Sequence, residues 1–453
     1  MAYSQTIPPL IPLSKQIYRD DCDIIAIRNG QTLHTKDLKD AVISIYHQLN
    51  TSKEHHWALV MQDSFHFVAG LLALLYCGKH PILINPLHQD LAPYFQAILT
   101  DNDAITAYDW PNHNITNITQ LPTHNIDIAF IGELRSTSLT LFTSGSTGLP
   151  KPVNKTLYQL EYESHLLSTY FGSLSQHLFI ASVSHDHMYG LTFKIMLALS
   201  NRATFVCESI QYQEQLAQYN GQKIIYITTP SLLKTLDCKI TNVECDQVIS
   251  AGGPLAYHAA QYSLQCFGKL PTEIYGSSET GIIATRTQVA ADIPWQLFPQ
   301  MQIINTKQQS KLMSPLIEGA EPLNDQIELI DQYTFTLKGR TDKIIKISEK
   351  RVSLTYIENQ LSQLAEIAKV CVIPLEQKNR TILAAVVQLS EFGIQQKQQL
   401  GHFRLSQYFR QQLKDKLSLV TIPKKWRFVE QLPTNKQGKS TFIALKTLFD
   451  NIE

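Results

Sequence analysis

Residues 138–151 read SLTLFTSGSTGLPK, an apolar run entering a loop of Thr, Ser and Gly that closes on Pro150-Lys151. Gly145 and Gly148 let backbone N–H groups converge on an oxyanion, while Thr143, Ser144, Ser146 and Thr147 add hydroxyl donors and Lys151 adds positive charge. The pattern reads as a phosphate cradle. It is not the G-x-x-x-x-G-K-[ST] loop, whose spacing is absent; Gly438-Lys439-Ser440 fails it too, because Pro433 stands where the first Gly is needed. Composition alone equally suits a flexible linker. The preceding strand and the terminal Lys weigh against that.

Outward from the loop, short β-rich runs at 56–61, 81–84, 178–183, 203–207, 223–228 and 247–250 alternate with helical stretches, which predicts an α/β unit. After about residue 325 the pattern changes to a hairpin, 326–331 and 334–338, followed by helices at 353–365 and 405–417 and strands at 369–374 and 382–388. The expected architecture is a large amino-terminal α/β domain, 1–339, and a small mobile α+β domain, 340–453. A chain of 453 residues with 44% hydrophobic side chains is long enough for both.

Composition narrows the function classes. The formal net charge is zero, which argues against a nucleic-acid binder steered by a global basic field. Residues 340–453 nevertheless hold 19 Lys+Arg against 10 Asp+Glu, and the rest of the chain carries the opposite excess. Such a tail suits an anionic partner (a nucleotide, a coenzyme A phosphate or an acidic carrier protein), or else is a solvated basic surface. The apolar run 67–77, FVAGLLALLYC, is too short to cross a bilayer, and the amino terminus lacks the order of a signal peptide; the expectation is a soluble, cytoplasmic protein without stable membrane insertion. Seven cysteines without a Cys-x-x-Cys pair predict reduced, mostly structural thiols.

The loop TSGSTGLPK resembles the signature of the adenylate-forming superfamily of acyl-CoA synthetases, aryl-acid ligases and luciferases, and further motifs follow in the family's order from about Leu71 to Lys439. The resemblance implies that the loop holds the β- and γ-phosphates of ATP. It implies that Gly252, Gly253 and Pro254 in SAGGPL (250–255) pack against adenine. In YGSSETG (275–281) it implies that Tyr275 stacks on the base beside Gly276, that Ser278 contacts the phosphate region and that Glu279 holds Mg²⁺. Asp325, in Leu-Asn-Asp where the family has Thr-Gly-Asp, would accept the ribose hydroxyls. Arg340 would touch ribose or phosphate, Asp342 would be the hinge between half-reactions, and Lys439, in LPTNKQGK, would meet the substrate carboxylate and α-phosphate. In KISEKRVSL (346–354) Glu349 stands where Gly is usual on the pantetheine path, which sets ordinary coenzyme A use in question.

For the acid, SHDHMYGL (184–191) resembles the family's His-x-x-Gly-Leu, with His187 beside the carboxylate; a core histidine is the alternative. Met188 lies where amino-acid-activating relatives place an Asp for the α-ammonium. A thioether cannot pair with an ammonium, so an apolar or aromatic acid is expected, with Tyr189 as a pocket wall. Met188 and Tyr189 equally suit packing. The short chain, Glu349 and the basic tail together resemble the compact AMP-ligases of aryl polyene pigment pathways. The expected reaction is ATP- and Mg²⁺-dependent formation of acyl-AMP, then transfer to a carrier-protein phosphopantetheine or coenzyme A; an adenylate-binding scaffold that has lost catalysis, or an adenylating enzyme of another type, are the alternatives.

Overall fold

The computed structural model describes the chain except residues 1–9, 85–86, 88, 107–109, 111–112, 123–132, 145–149, 241–242, 307–308, 341–343, 348–349, 378–379, 415–421, 435–439 and 451–453. The side chains of 89–90, 143–144, 150, 339–340, 344, 346–347, 350–353 and 380 also lie outside the description. Contacts divide the chain into two compact units, the first made of 1–143, 150–302 and 313–321, the second of 144–149, 303–312 and 322–453.

The first unit is built on two sheets. In one, strands follow the order Trp295–Leu297, Gly281–Thr287, Thr272–Ser277, Gln247–Ala251, Ile224–Thr228, Leu178–Ala181, Thr204–Ser209, Ile24–Arg28 and Gln31–His34. From Ile24–Arg28 across to Thr272–Ser277 every neighbouring pair is parallel, so the carboxyl ends of these strands lie along one edge. The other sheet runs Asn114–Asn117, Ala97–Thr100, His56–Val60, His80–Leu83, Ser138–Ser144 and Pro150–Thr156. Strands buried on both faces read as continuous apolar runs, as Leu178–Ala181 and Ile224–Thr228 do, each wholly buried. The apolar run expected to be too short for a bilayer is helix Ser64–Tyr76, inside this unit; Asp63 caps it by accepting from the Phe65 and His66 amides at 2.9 Å each. A helix apolar on all sides belongs in a core. Among the described residues no helix is long and apolar enough to cross a membrane.

The second unit is α+β. The antiparallel hairpin Asp325–Leu329 and Thr334–Arg340 is followed by helix Leu354–Ser362 and by a sheet in which Arg380–Leu389 pairs antiparallel with Ile367–Gln377 and parallel with Lys425–Val429. Leu354, Ile357 and Leu361 on that helix pack with Leu383, Ala385, Val387, Leu405, Phe409 and Trp426 into one core. The helix expected at 405–417 is longer: it begins at Glu391, breaks at Gly401 (φ 76°), and continues to Lys414.

The expectation that the thiols are all reduced is corrected. Cys238 and Cys266 form a disulfide across 28 residues, while Cys22, Cys77, Cys207, Cys245 and Cys371 are free. Spacing along the chain gave no hint, because helix Tyr257–Phe267 folds back against the turn after helix Pro230–Leu233 and the pair meets only in three dimensions.

Candidate active site

Three of the motifs leave strands of this parallel set at their carboxyl ends. The acid motif 184–191 follows Leu178–Ala181, the glycine turn 252–255 follows Gln247–Ala251, and Ser278-Glu279 follows Thr272–Ser277. In open α/β sheets this edge is where ligands bind. The acid motif closes on Gly190, where a Cβ would lie 1.9 Å from the Ser184 carbonyl oxygen, so only glycine allows the chain to fold back this tightly. His187 is half-buried, precedes the short helix Met188–Gly190, and has Nε2 3.8 Å from the Asp186 carboxylate. Met188 is buried. The Tyr189 hydroxyl donates within 2.9 Å of two backbone carbonyls, Thr228 and Ile249, at the ends of neighbouring strands. Burial pushes its phenol well above the ordinary range. Its hydroxyl is therefore a strand clamp, and only the ring is left for a pocket wall.

Beneath that motif lies a polar group that the motif alone does not reveal. His185 is held by Met61 O at Nε2 (3.1 Å) and by Ser64 Oγ at Nδ1 (2.9 Å). Lys194 Nζ donates to the same Ser64 Oγ (2.8 Å) and to Cys207 O (3.0 Å). All three side chains are buried. Burial pulls His185 down to about 4 and Lys194 down to about 8, so the imidazole stays neutral, with its proton on the nitrogen that faces the carbonyl. Lys194 belongs to a π-helical turn, Leu191–Met196, a geometry concentrated at functional sites.

The glycine turn is open. Gly252 has φ +87°, a Cβ there would meet nothing within 4 Å, and at Gly253 the nearest atom would be Pro230 Cγ at 4.0 Å. Gly252, Gly253 and Pro254 are exposed, which leaves a flat backbone face. Tyr275 is half-buried, with its ring 5.7 Å from that of Trp295. Arg286 lies over Trp295 at 4.5 Å while making a two-point ion pair with buried Glu273, at 2.7 and 3.0 Å. Trp295, held by Arg286, thus packs at a tilt of 53° against the Tyr275 ring.

Glu279 sits in the turn of the hairpin Thr272–Ser277 and Gly281–Thr287. A Cβ on Gly276 would come 2.3 Å from Gly281 O, so the hairpin needs glycine there. Ser277 and Thr280 cross-link the turn: Ser277 N donates to Thr280 Oγ1 (3.1 Å) and Thr280 N to Ser277 Oγ (3.2 Å). Ser278 and Glu279 are thereby presented half-exposed. Among the described residues no group of three or more His, Cys, Asp or Glu gathers into a metal cage. One accessible carboxylate is the donor set that suits Mg²⁺ carried in on a triphosphate, and Glu279 fits it.

Lys151 is exposed on strand Pro150–Thr156. Thr143 and Ser144 end strand Ser138–Ser144, their side chains outside the description, and Gly145, Ser146, Thr147 and Gly148 lie outside the described residues. In the second unit Asp325 and Arg340 are direct cross-strand partners at the open end of their hairpin. Asp342, Glu349 and Lys439 lie outside the described residues.

Sequence reasoning passed over Ser64, His185, Lys194, Lys155 and Glu163. The last two are each 2% exposed. A signal was there to find: a Lys in the apolar run 191–199 and an acid on the apolar face of the helix that begins at Leu157 are costly unless compensated.

The AMP-binding enzyme family matches residues 105–315, and the AMP-binding enzyme C-terminal domain matches residues 356–439. The D-alanine–D-alanyl carrier protein ligase of Staphylococcus aureus (strain bovine RF122 / ET3-1) is 23% identical over 477 aligned residues, covering 92% of this chain and 94% of the relative. Among solved structures, o-succinylbenzoate CoA synthetase from Bacillus subtilis, in complex with an acyl-adenylate intermediate, superposes with a TM-score of 0.79 at 17% identity, over 96% of this chain and 97% of that one. ATP-bound MatB from Rhodopseudomonas palustris gives 0.78 at 15% identity, over 97% and 99%.

Proposed function

Because the chain belongs to the AMP-binding enzyme family and has the fold of adenylate-forming ligases, we propose that it joins a carboxylic acid to a thiol through an acyl-adenylate. The observation that carries this reading is the convergence of the acid motif, the glycine turn and the Glu279 turn on one edge of parallel strands. A substrate carboxylate oxygen attacks the α-phosphorus of ATP, and the bond to the bridging oxygen breaks to release pyrophosphate. A thiol sulfur then attacks the acyl carbon, losing its proton, and AMP leaves.

In this reading Gly252, Gly253 and Pro254 flank adenine, Tyr275 stacks on it, and His187 faces the acid carboxylate. The phosphate loop, Ser278 and Lys151 bind the phosphates; Asp325 binds the ribose, and Arg340 the ribose or a phosphate. Lys439 approaches the carboxylate and α-phosphate, and the domain 340–453 turns about Asp342 between the half-reactions. Mg²⁺, when bound, supplies charge neutralisation at the phosphates, and Glu279 is the side chain that would hold it.

The acid is apolar or aromatic. Met188 is buried and offers no carboxylate to an ammonium, which separates this site from D-alanine chemistry despite the carrier-protein ligase among its relatives. The acceptor is a carrier-protein phosphopantetheine or coenzyme A; Glu349, where Gly is usual, weighs toward the carrier protein, and together with the basic tail it resembles the aryl polyene ligases. The test is acid-dependent pyrophosphate release with fatty, benzoic and cinnamic acids and with D-alanine, repeated with coenzyme A and with holo carrier protein. Release with a benzoic or cinnamic acid and none with D-alanine is expected. No release with any acid overturns the reading.

A further inference from the structure

Helix Leu157–Phe171 turns Leu157, Leu160, Ser164, Leu167 and Ser168 inward, and on the same buried side the chain places Glu163. A carboxylate there is costly unless it is paired and hydrogen-bonded. Both oxygens are used: Oε1 accepts from the Ile282 amide at 2.7 Å and Oε2 from Thr192 Oγ1 at 2.9 Å. The ammonium of Lys155, also buried, is its charge partner and donates to the backbone carbonyl of Glu279 at 2.9 Å. Burial pushes the Glu163 carboxyl up and the Lys155 ammonium down, and each charge opposes the shift of the other. Gly281, at φ +69°, lets the turn come this close, since a Cβ there would sit 2.9 Å from Glu163 Oε1.

This pair touches three segments. Lys155 lies on Pro150–Thr156, the strand that leaves the phosphate loop; Glu279 and Ile282 bracket the hairpin turn; Thr192 belongs to the π-helical turn after the acid motif. We propose that Lys155 and Glu163 are positioning residues: Lys155 aims the Glu279 turn at magnesium-bound ATP, and Glu163 locks that turn to the helix of the acid motif. The proposal rests on the nucleotide reading of the Glu279 turn.

The experiment uses full-length protein carrying Lys155→Met, Glu163→Gln, Thr192→Val and the double change Lys155→Met/Glu163→Gln, with ATP affinity measured calorimetrically in Mg²⁺ and in EDTA, without acid. Lys155→Met should weaken ATP binding about tenfold in Mg²⁺, the size of effect seen when a group that orients a metal ligand is lost, and leave binding in EDTA unchanged. The double variant leaves no orphaned buried charge, so it stands in if a single variant fails to fold, and it should show the same magnesium-specific loss. Thr192→Val should raise the KM for whichever acid supports pyrophosphate release while leaving acid-free ATP affinity at the wild-type value. Folded variants with wild-type ATP affinity in Mg²⁺ and only a lowered Tm overturn the proposal. Wild-type protein that binds no ATP overturns the functional reading along with it.

Discussion

Two neighbouring pieces of the site edge are supported in opposite ways. The acid motif rests on two bases around one hydroxyl, His185 and Lys194 at Ser64, whereas the Glu279 turn rests on an acid and a base, Glu163 and Lys155. In the first region burial favours the uncharged imidazole, and hydrogen bonds do the holding. In the second, each charge lowers the cost of burying the other. The same task, fixing a turn at the end of a parallel strand, thus makes one region sensitive to acid and the other to the loss of a single partner.

The largest effects should come where the backbone itself leaves no room, and these would break the comparison by removing either region whole. Gly190→Ala and Gly276→Ala place a Cβ 1.9 and 2.3 Å from a carbonyl oxygen. Each should cost more than about 4 kcal/mol in urea unfolding, or prevent folding; tolerance of both would show that these turns are looser than drawn.

Next come the partners. Glu163→Ala takes the strongest counter-charge from Lys155, leaving it Glu279 and Glu321, and orphans the Ile282 amide and the Thr192 hydroxyl; it should cost about 3–5 kcal/mol. Lys194→Met removes an ammonium held by neutral oxygens, and should cost only about 1–2 kcal/mol. Equal losses in urea titrations would erase the distinction between the two regions.

Acid should then separate them. The folded pKa of His185 is lowered from 6.5 to about 4, so between these values the unfolded chain binds the extra proton and stability falls as pH falls. The loss should be on the order of 2–3 kcal/mol, read as a drop in unfolding midpoint, and His185→Gln should flatten it. A Gln variant that keeps the full wild-type slope would place the sensitivity elsewhere.

The smallest effect sharpens the role of Tyr189. Tyr189→Phe removes one hydroxyl from two carbonyls and should cost about 1 kcal/mol while the KM for the acid stays within about twofold. A tenfold rise in KM would mean that the hydroxyl meets substrate.

Much of the fold was legible along the chain. The strands expected at 56–61, 178–183, 223–228 and 247–250 stand at His56–Val60, Leu178–Ala181, Ile224–Thr228 and Gln247–Ala251, because a strand buried on both faces must be apolar throughout. The Gln-rich first half of the long helix, 391–400, was missed: it buries Gly393 alone, so no apolar face recurs at helical spacing to mark it. The Cys238–Cys266 bond was missed because no local spacing encodes it.

At the site, the sequence by itself named the residues proposed to meet ligand, since phosphate, magnesium and a flat base each demand particular donors within a few consecutive residues: hydroxyls and glycines at 143–148, Glu279, and Gly252-Gly253. Only the tertiary structure decided what holds them. Lys155 and Glu163 are eight positions apart on different elements, and Ser64 lies 121 and 130 positions from His185 and Lys194. Burial makes a charge or a hydrogen bond strong, and burial is a property of packing from all sides rather than of neighbours in the chain.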